Sequence, residues 1–319
     1  MRHVGQDDKY RASSRSLAVR CSLAVLAAAA VLTGCQGAGS PGSPGSPGSP
    51  GSTGSPGSAP AGRGGPAKAP DAASARLAEQ RRMVAAARKW RLDQVPLTAP
   101  APPKVKPRIT ARAGFEVDHQ EDENLPPVFT TVPTDKKIVF LTIDDGAEKD
   151  PRFLAMMREL KVPYTAFLSN YLVKDDYGYF RKSQAYGNTL DNHTLTHPYL
   201  PGLSYEQQRQ EICGMQDVME KQYGRRPEVL RPPYGDYNQD TLRAAKSCGI
   251  KYAPIWNEEV FVDHWEYRED DRRLRKGDIV LTHFRGPDEW DGTMVDDMRR
   301  FLDKVTREGY AVARLEDYL

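Results

Sequence analysis

From about residue 110 to the carboxyl terminus, short apolar runs alternate with segments of helical spacing, and this order restricts the fold more than any other feature of the chain. Strands are expected at 137–143, 164–168, 228–231, 252–255, 278–282 and 311–314, and helices at 151–160, 204–223, 238–248 and 293–308. Ser204 and Gly224 bound the second of these helices as N-cap and terminator, and Gly249 ends the third. Strands that alternate with helices build a parallel sheet with helices outside it. Some seven such units in about 200 residues make a closed or nearly closed α/β barrel the natural architecture.

The first third cannot contribute to that core. An Arg-bearing stretch at 11–20 is followed by "SLAVRCSLAVLAAAAVLTGC", an apolar run that ends in small residues and Cys35. This is the pattern of a secretory signal. With Cys after the small residues it resembles a bacterial lipoprotein signal, residues 1–34 being removed and Cys35 carrying the lipid. An uncleaved membrane helix would need about 20 unbroken apolar residues, and this run stops sooner, at Thr33-Gly34. Next comes "GSPGSPGSPGSPGSTGSPGS", with no side chains able to form a core. Residues 35–109 are therefore expected to be a lipid-anchored, disordered tether. Fully extended, its 36–70 portion would reach roughly 100 Å. Within it, 71–90 has a helical pattern with an Asp start; its Ala-rich face offers little to bury, so it is either a stalk or packed on the domain. Its basic face suits contact with anionic wall polymers. The linker resumes at "VPLTAPAPPKVKP", and the folded domain is expected over 110–319.

The formal charge of +2 is too small to argue for a nucleic-acid partner. Of the four cysteines, Cys21 lies in the signal and Cys35 is the lipid site, leaving Cys213 and Cys248. In an oxidising compartment these two either bridge or remain separate buried thiols, because sequence does not place their Cα atoms. The oligomeric state is left open.

Polar clusters fall at the expected strand ends. Asp144-Asp145-Gly146 closes the run "IVFLTI"; "LRPPYGD" follows the strand at 228–231; "WNEEVFVDHW" follows 252–255; and His283 ends "IVLTH". Taken alone, Asp-Asp-Gly is ordinary turn chemistry. In a barrel, however, the carboxyl ends of the strands share one face, which carries the active site. His193 and His197 in "DNHTLTHPYL" are spaced to converge on one metal, and Pro198 biases His197 toward a loop or a helix end. Two imidazoles plus a carboxylate, with positions left open, form the ligand set of a catalytic zinc-type site. Thr194 stands where the Glu of an HExxH protease would be, so a base must come from elsewhere, and Asp144 is the candidate.

In that order, "TIDDG", "HTLTH", "RPPY", a Trp and Asp segment and "LTH" resemble the polysaccharide deacetylases, carbohydrate esterases with a nodulation-protein B homology domain. The match covers about 132–319. It implies a distorted, incomplete (β/α) barrel and hydrolysis of acetyl groups on a polysaccharide. It makes Asp144 the general base, and Asp145, His193 and His197 the ligands of a divalent metal, zinc before cobalt or manganese. Arg231 would pair with the base, the Tyr234 backbone N–H would face the oxyanion, Leu281 would line the acetyl pocket, and Trp265 would lie with the substrate-facing residues. His283 would be the general acid, oriented by Asp263 in competition with Glu258, Glu259 and His264. Ile143 stands where the family has Phe, a packing change. The substrate expected is an extracellular amino-sugar polymer, peptidoglycan first and chitin-like second. The alternatives are an acetyl-xylan esterase, an inactive glycan-binding lipoprotein, and a lipoprotein whose role is the tether itself.

Overall fold

In the computed structural model of the protein, residues 71–109 and 124–319 are described. The signal segment, Cys35 and the Gly-Ser-Pro repeat lie outside the described residues. Helix α1, Ala72–Lys89, is capped by Asp71, whose carboxylate accepts from the Ser74 N–H. Strands β1 (Val128–Phe129) and β2 (Ile138–Asp145) follow, then α2 (Pro151–Leu160), β3 (Thr165–Leu168), α3 (Asn170–Val173) and α4 (Tyr177–Ala185). Strand β4 (Thr189–Asn192) leads to α5 (Tyr205–Tyr223) and α6 (Gln239–Ser247). The chain ends with β5 (Ala253–Pro254), β6 (Glu258–Val260), β7 (Trp265–Tyr267), β8 (Ile279–His283), α7 (Met294–Arg307) and β9 (Ala311–Ala313).

The main sheet runs β4-β3-β2-β8-β6-β7, with β9 paired to the start of β2. All of its pairs are parallel except β6 with β7. Isolated bridges carry the ring on from β4 through Asn192 to Leu230 and from Val229 to Tyr252. The β5–β1 pair and the Thr131–Asp278 bridge then return it to β8. The result is a distorted, incomplete (β/α) barrel of about seven units. The strand expected at 228–231 is reduced to bridges because Pro227, Pro232 and Pro233 cannot donate to a ladder. Strand β4, "TLDN", has only one apolar residue, which is why its sequence does not announce a strand.

Along β2 the side chains alternate. Leu141 and Ile143 join Phe153, Met157 and Phe301 in the layer between sheet and helices, while Thr142 and Asp144 turn to the barrel interior to meet Arg231. Cys213 of α5 and Cys248 beyond α6 are bridged. By loop entropy that crosslink contributes about 3–4 kcal/mol.

Of the two fates open to the 71–90 helix, packing is the one observed. Ala86, Ala87 and Trp90 are buried, the Trp90 indole donates to Glu159 at 2.8 Å, and Lys89 pairs with the same carboxylate at 2.6 Å. An Ala face buries little area per residue, but it lets α1 approach α2 closely, and burying Trp90 contributes about 2 kcal/mol or more. The segment after it is also docked: Leu97 bridges to Ala311, and Lys106 donates to the Glu316 carbonyl at 3.0 Å. The folded unit thus begins well before residue 110, where the sequence reading had set its boundary.

Candidate active and metal site

Strict alternation would send Asp144 and Asp145 to opposite faces. Asp145 instead takes a left-handed conformation, φ +78°, and Gly146 follows at φ +94°. A side chain at Gly146 would stand 2.5 Å from a Val173 methyl, so only glycine fits this turn. Both carboxylates are thereby kept at the mouth of the barrel, and both are buried. Arg231 Nη1 donates to Asp144 Oδ1 at 2.8 Å and to Thr142 Oγ1 at 2.9 Å, while its Nε donates to the Pro254 carbonyl at 3.1 Å. Burial pushes the Asp144 carboxyl up and Arg231, then His283, pull it back, leaving it at about 6.

The histidines arrive on the loop after β4, where Thr194 and His197 are both left-handed, at φ +71° and +58°. These two turns bring the rings to 4.8 Å, centroid to centroid. His193 Nδ1 donates to the Arg231 carbonyl at 2.7 Å, which leaves its Nε2 as the bare nitrogen. That Nε2 lies 3.7 Å from Asp145 Oδ1, and His197 Nε2 lies 3.4 Å from the same oxygen. Burial holds His193 well below its usual range, and His197 below its own, so both offer neutral nitrogens. Asp145 Oδ1 is buried with no hydrogen-bond partner among the described residues. One carboxylate oxygen and two neutral nitrogens, all within 4.8 Å of one another, fit a divalent metal ion and leave further positions open.

His283 ends β8 in register with Asp144. Its Nδ1 lies 3.1 Å from Glu259 Oε1. Burial lowers the imidazole, but Glu259 foremost, then Asp145 and Asp144, outweigh it and raise His283 to about 9. A base and an acid therefore face the same metal-competent trio. Leu281, two residues earlier and so on the same face of β8, is buried, and Tyr234 sits half exposed with its ring 4.6 Å from that of His197.

A family model described as polysaccharide deacetylase matches residues 131–253. An uncharacterized protein of Streptomyces coelicolor is 39% identical over 203 residues, covering 63% of this chain and 81% of that one. This chain belongs to the polysaccharide deacetylase family. It is accordingly a hydrolase that acts on carbon–nitrogen bonds other than peptide bonds. A peptidoglycan-N-acetylglucosamine deacetylase of Bacillus cereus is 25% identical over 197 residues, covering 59% of this chain and 91% of that one. The solved structure of the Bc1960 peptidoglycan N-acetylglucosamine deacetylase superposes with a TM-score of 0.53 at 21% identity, over 62% of this chain and 94% of that one, and shares the fold.

Two expectations for the deacetylase need correction. Asp263 does not reach His283: it is strongly exposed and bonds His264 Nδ1 at 2.6 Å. The β6–β7 turn carries it past the end of the sheet, whereas Glu259, in register with Leu281 on β6, stands beside the imidazole. Trp265 is not at the mouth either; on β7 it stacks on Phe301 of α7 at 6.1 Å, with Lys304 Nζ 5.5 Å from its ring. One contact escaped the sequence reading altogether: Arg285 Nη2 donates to Asp145 Oδ2 at 2.6 Å. Its only signal is the cation two residues after His283 in "LTHFRG".

The Glu259 contact has a measurable consequence. Glu259 raises His283, so Glu259→Gln lowers the imidazole pKa and strips the acid of its proton at lower pH. The alkaline limb of the kcat/KM profile is expected to move to lower pH; for a drop of about one pKa unit from about 9, activity at pH 8.5 falls about threefold, approaching tenfold only well above both values. Asp263→Asn is expected to leave that limb in place. The reverse pattern would return the orienting role to Asp263.

Proposed function

We propose that this protein removes N-acetyl groups from an extracellular amino-sugar polymer, peptidoglycan before chitin-like chains. The observation that carries the reading is Asp145 Oδ1, without a hydrogen-bond partner among the described residues, between two neutral histidines, with Asp144 and His283 at the same mouth. The peptidoglycan deacetylases among its relatives favour the wall polymer as substrate.

A divalent metal held by Asp145, His193 and His197, zinc before cobalt or manganese, would polarise the acetyl carbonyl and acidify the attacking water. Asp144 takes the water's proton, with Arg231 fixing the carboxylate so that its second oxygen stays free to accept. His283 gives its proton to the departing amine, which cannot leave as an anion. In this reading the Tyr234 backbone N–H faces the developing oxyanion and Leu281 lines the space for the acetyl methyl. The leader, with lipid on Cys35, would hold the enzyme on the outer face of the membrane, the Gly-Ser-Pro tether giving it reach into the wall.

The test is acetate release by the whole protein, expected in the membrane fraction and shifted to the soluble one by Cys35→Ala. Substrates are peptidoglycan, chitin oligomers and acetylated xylan. Release from an amino-sugar polymer is expected. Release from xylan alone would make it an O-acetyl esterase, and glycan binding without release would make it an inactive relative.

A further inference from the structure

Beyond the three candidate ligands, the loop after β8 supplies a contact that the mechanism above does not use. Asp145 has two carboxylate oxygens with different fates. Oδ1 faces His193 and His197 with no hydrogen-bond partner among the described residues, while Oδ2 accepts from Arg285 Nη2 at 2.6 Å. The other terminal nitrogen of Arg285 donates to Glu289 Oε2 at 2.5 Å. The guanidinium is thus held at both ends, between a buried carboxylate and a rim carboxylate.

The loop is built to keep it there. The Arg285 N–H donates to the His283 carbonyl at 2.9 Å, and the N–H groups of Glu289 and Trp290 donate to the Gly286 carbonyl at 3.0 and 2.9 Å. This turn folds Glu289 back over Arg285. A side chain at Gly286 would stand 2.2 Å from a Glu148 carboxylate oxygen, so the turn packs directly against the loop after β2. Strand β8, which delivers His283, and strand β2, which delivers Asp145, are tied together at their ends through one arginine.

We propose that Arg285, braced by Glu289, is a positioning residue that confines Asp145 to one-oxygen ligation by occupying Oδ2 and aiming Oδ1 at the two histidines. A carboxylate free to rotate would present either oxygen, or both, and the trio would lose the geometry seen here. Arginine suits the task because its planar fork bonds two carboxylates at once; lysine offers charge without the fork. The charge of Arg285 also acts on an incoming cation, and repulsion alone would make its removal tighten metal binding. Orientation is taken to outweigh repulsion, because Glu289 already neutralises the guanidinium and outer contacts of this kind are worth about 10–100-fold in metal affinity.

This inference rests on the metal reading of the trio, and the experiment separates the two. Zinc affinity of the whole protein is measured by competition with a chromophoric chelator, for the parent and for Arg285→Met, Arg285→Lys, Glu289→Gln and Asp145→Asn. Thermal melting in chelator checks that each variant folds. Arg285→Met is expected to bind zinc about 10–100-fold more weakly, Arg285→Lys to recover part of the loss, and Glu289→Gln to lose a few-fold. Arg285→Met with parent affinity or tighter, while Asp145→Asn loses zinc, would overturn the positioning role and leave the metal site standing. Asp145→Asn with parent affinity would overturn the metal reading itself.

Discussion

Replacing Asp144 by Asn is expected to lower kcat for acetate release by about 10²–10⁴, the range for losing a positioned general base. The amide keeps an oxygen for Arg231 Nη1, and Arg231 retains its bonds to Thr142 and Pro254. Its charge, however, is left buried with no counter-charge in contact among the described residues, so a loss of about 3–5 kcal/mol in stability accompanies the substitution. That is within the margin of a domain of this size, and a urea melt beside the assay separates unfolding from chemistry. In the parent, burial has raised the Asp144 carboxyl to about 6, so the ionised base accumulates as pH rises through that value and activity falls as pH drops. A cation on neighbouring Asp145 would draw this acid limb lower still. The residual activity of Asp144→Asn is expected to lack the limb. A variant that keeps most of its kcat, or keeps the limb, would place the base elsewhere.

The residues that sequence reading could reach were those whose position follows from a strand end. Asp144, Asp145 and His283 each close an apolar run, and His193 and His197 lie four apart beside a proline, so their convergence at one mouth could be expected before any coordinates. Glu259 could not be chosen over Asp263 by the same means. The strands around them have three residues each, and which acid faces His283 depends on the register of β6 against β8. Arg285 was further out of reach, since its side chain spans a loop whose path is set by contacts with Glu289 and Glu148. The docking of α1 stays undecided in the sequence for a different reason. Hydrophobic area per residue is small on an Ala face, but close approach and one terminal Trp compensate for it. In each case the missing information was tertiary: a register, a long side chain, a fit between surfaces.

Exhaustive chelation is expected to lower acetate release by at least about 10³-fold, and added zinc to restore it. The reason lies in the protein itself. Asp145 Oδ1 is a buried carboxylate oxygen with no hydrogen-bond partner among the described residues, an arrangement that costs about 1–3 kcal/mol if nothing completes it. Both facing imidazoles are held neutral, His193 well below its ordinary range, so neither supplies the missing positive charge. Arg285 neutralises Asp145 from the far oxygen and leaves the near one exposed to the trio. A group bound there stabilises the folded state over the unfolded one, so the melting temperature should fall on chelation together with activity and return with zinc. His193→Ala should do neither, because its Nε2 is one of the three atoms that face the site. The two readings have distinct signatures. If activity survives chelation and the melting temperature does not move, the trio is a polar core that holds no ion, and Asp144 would have to activate water unaided. If the melting temperature responds and activity does not, the ion is structural and the reacting carbonyl is stabilised by protein donors alone.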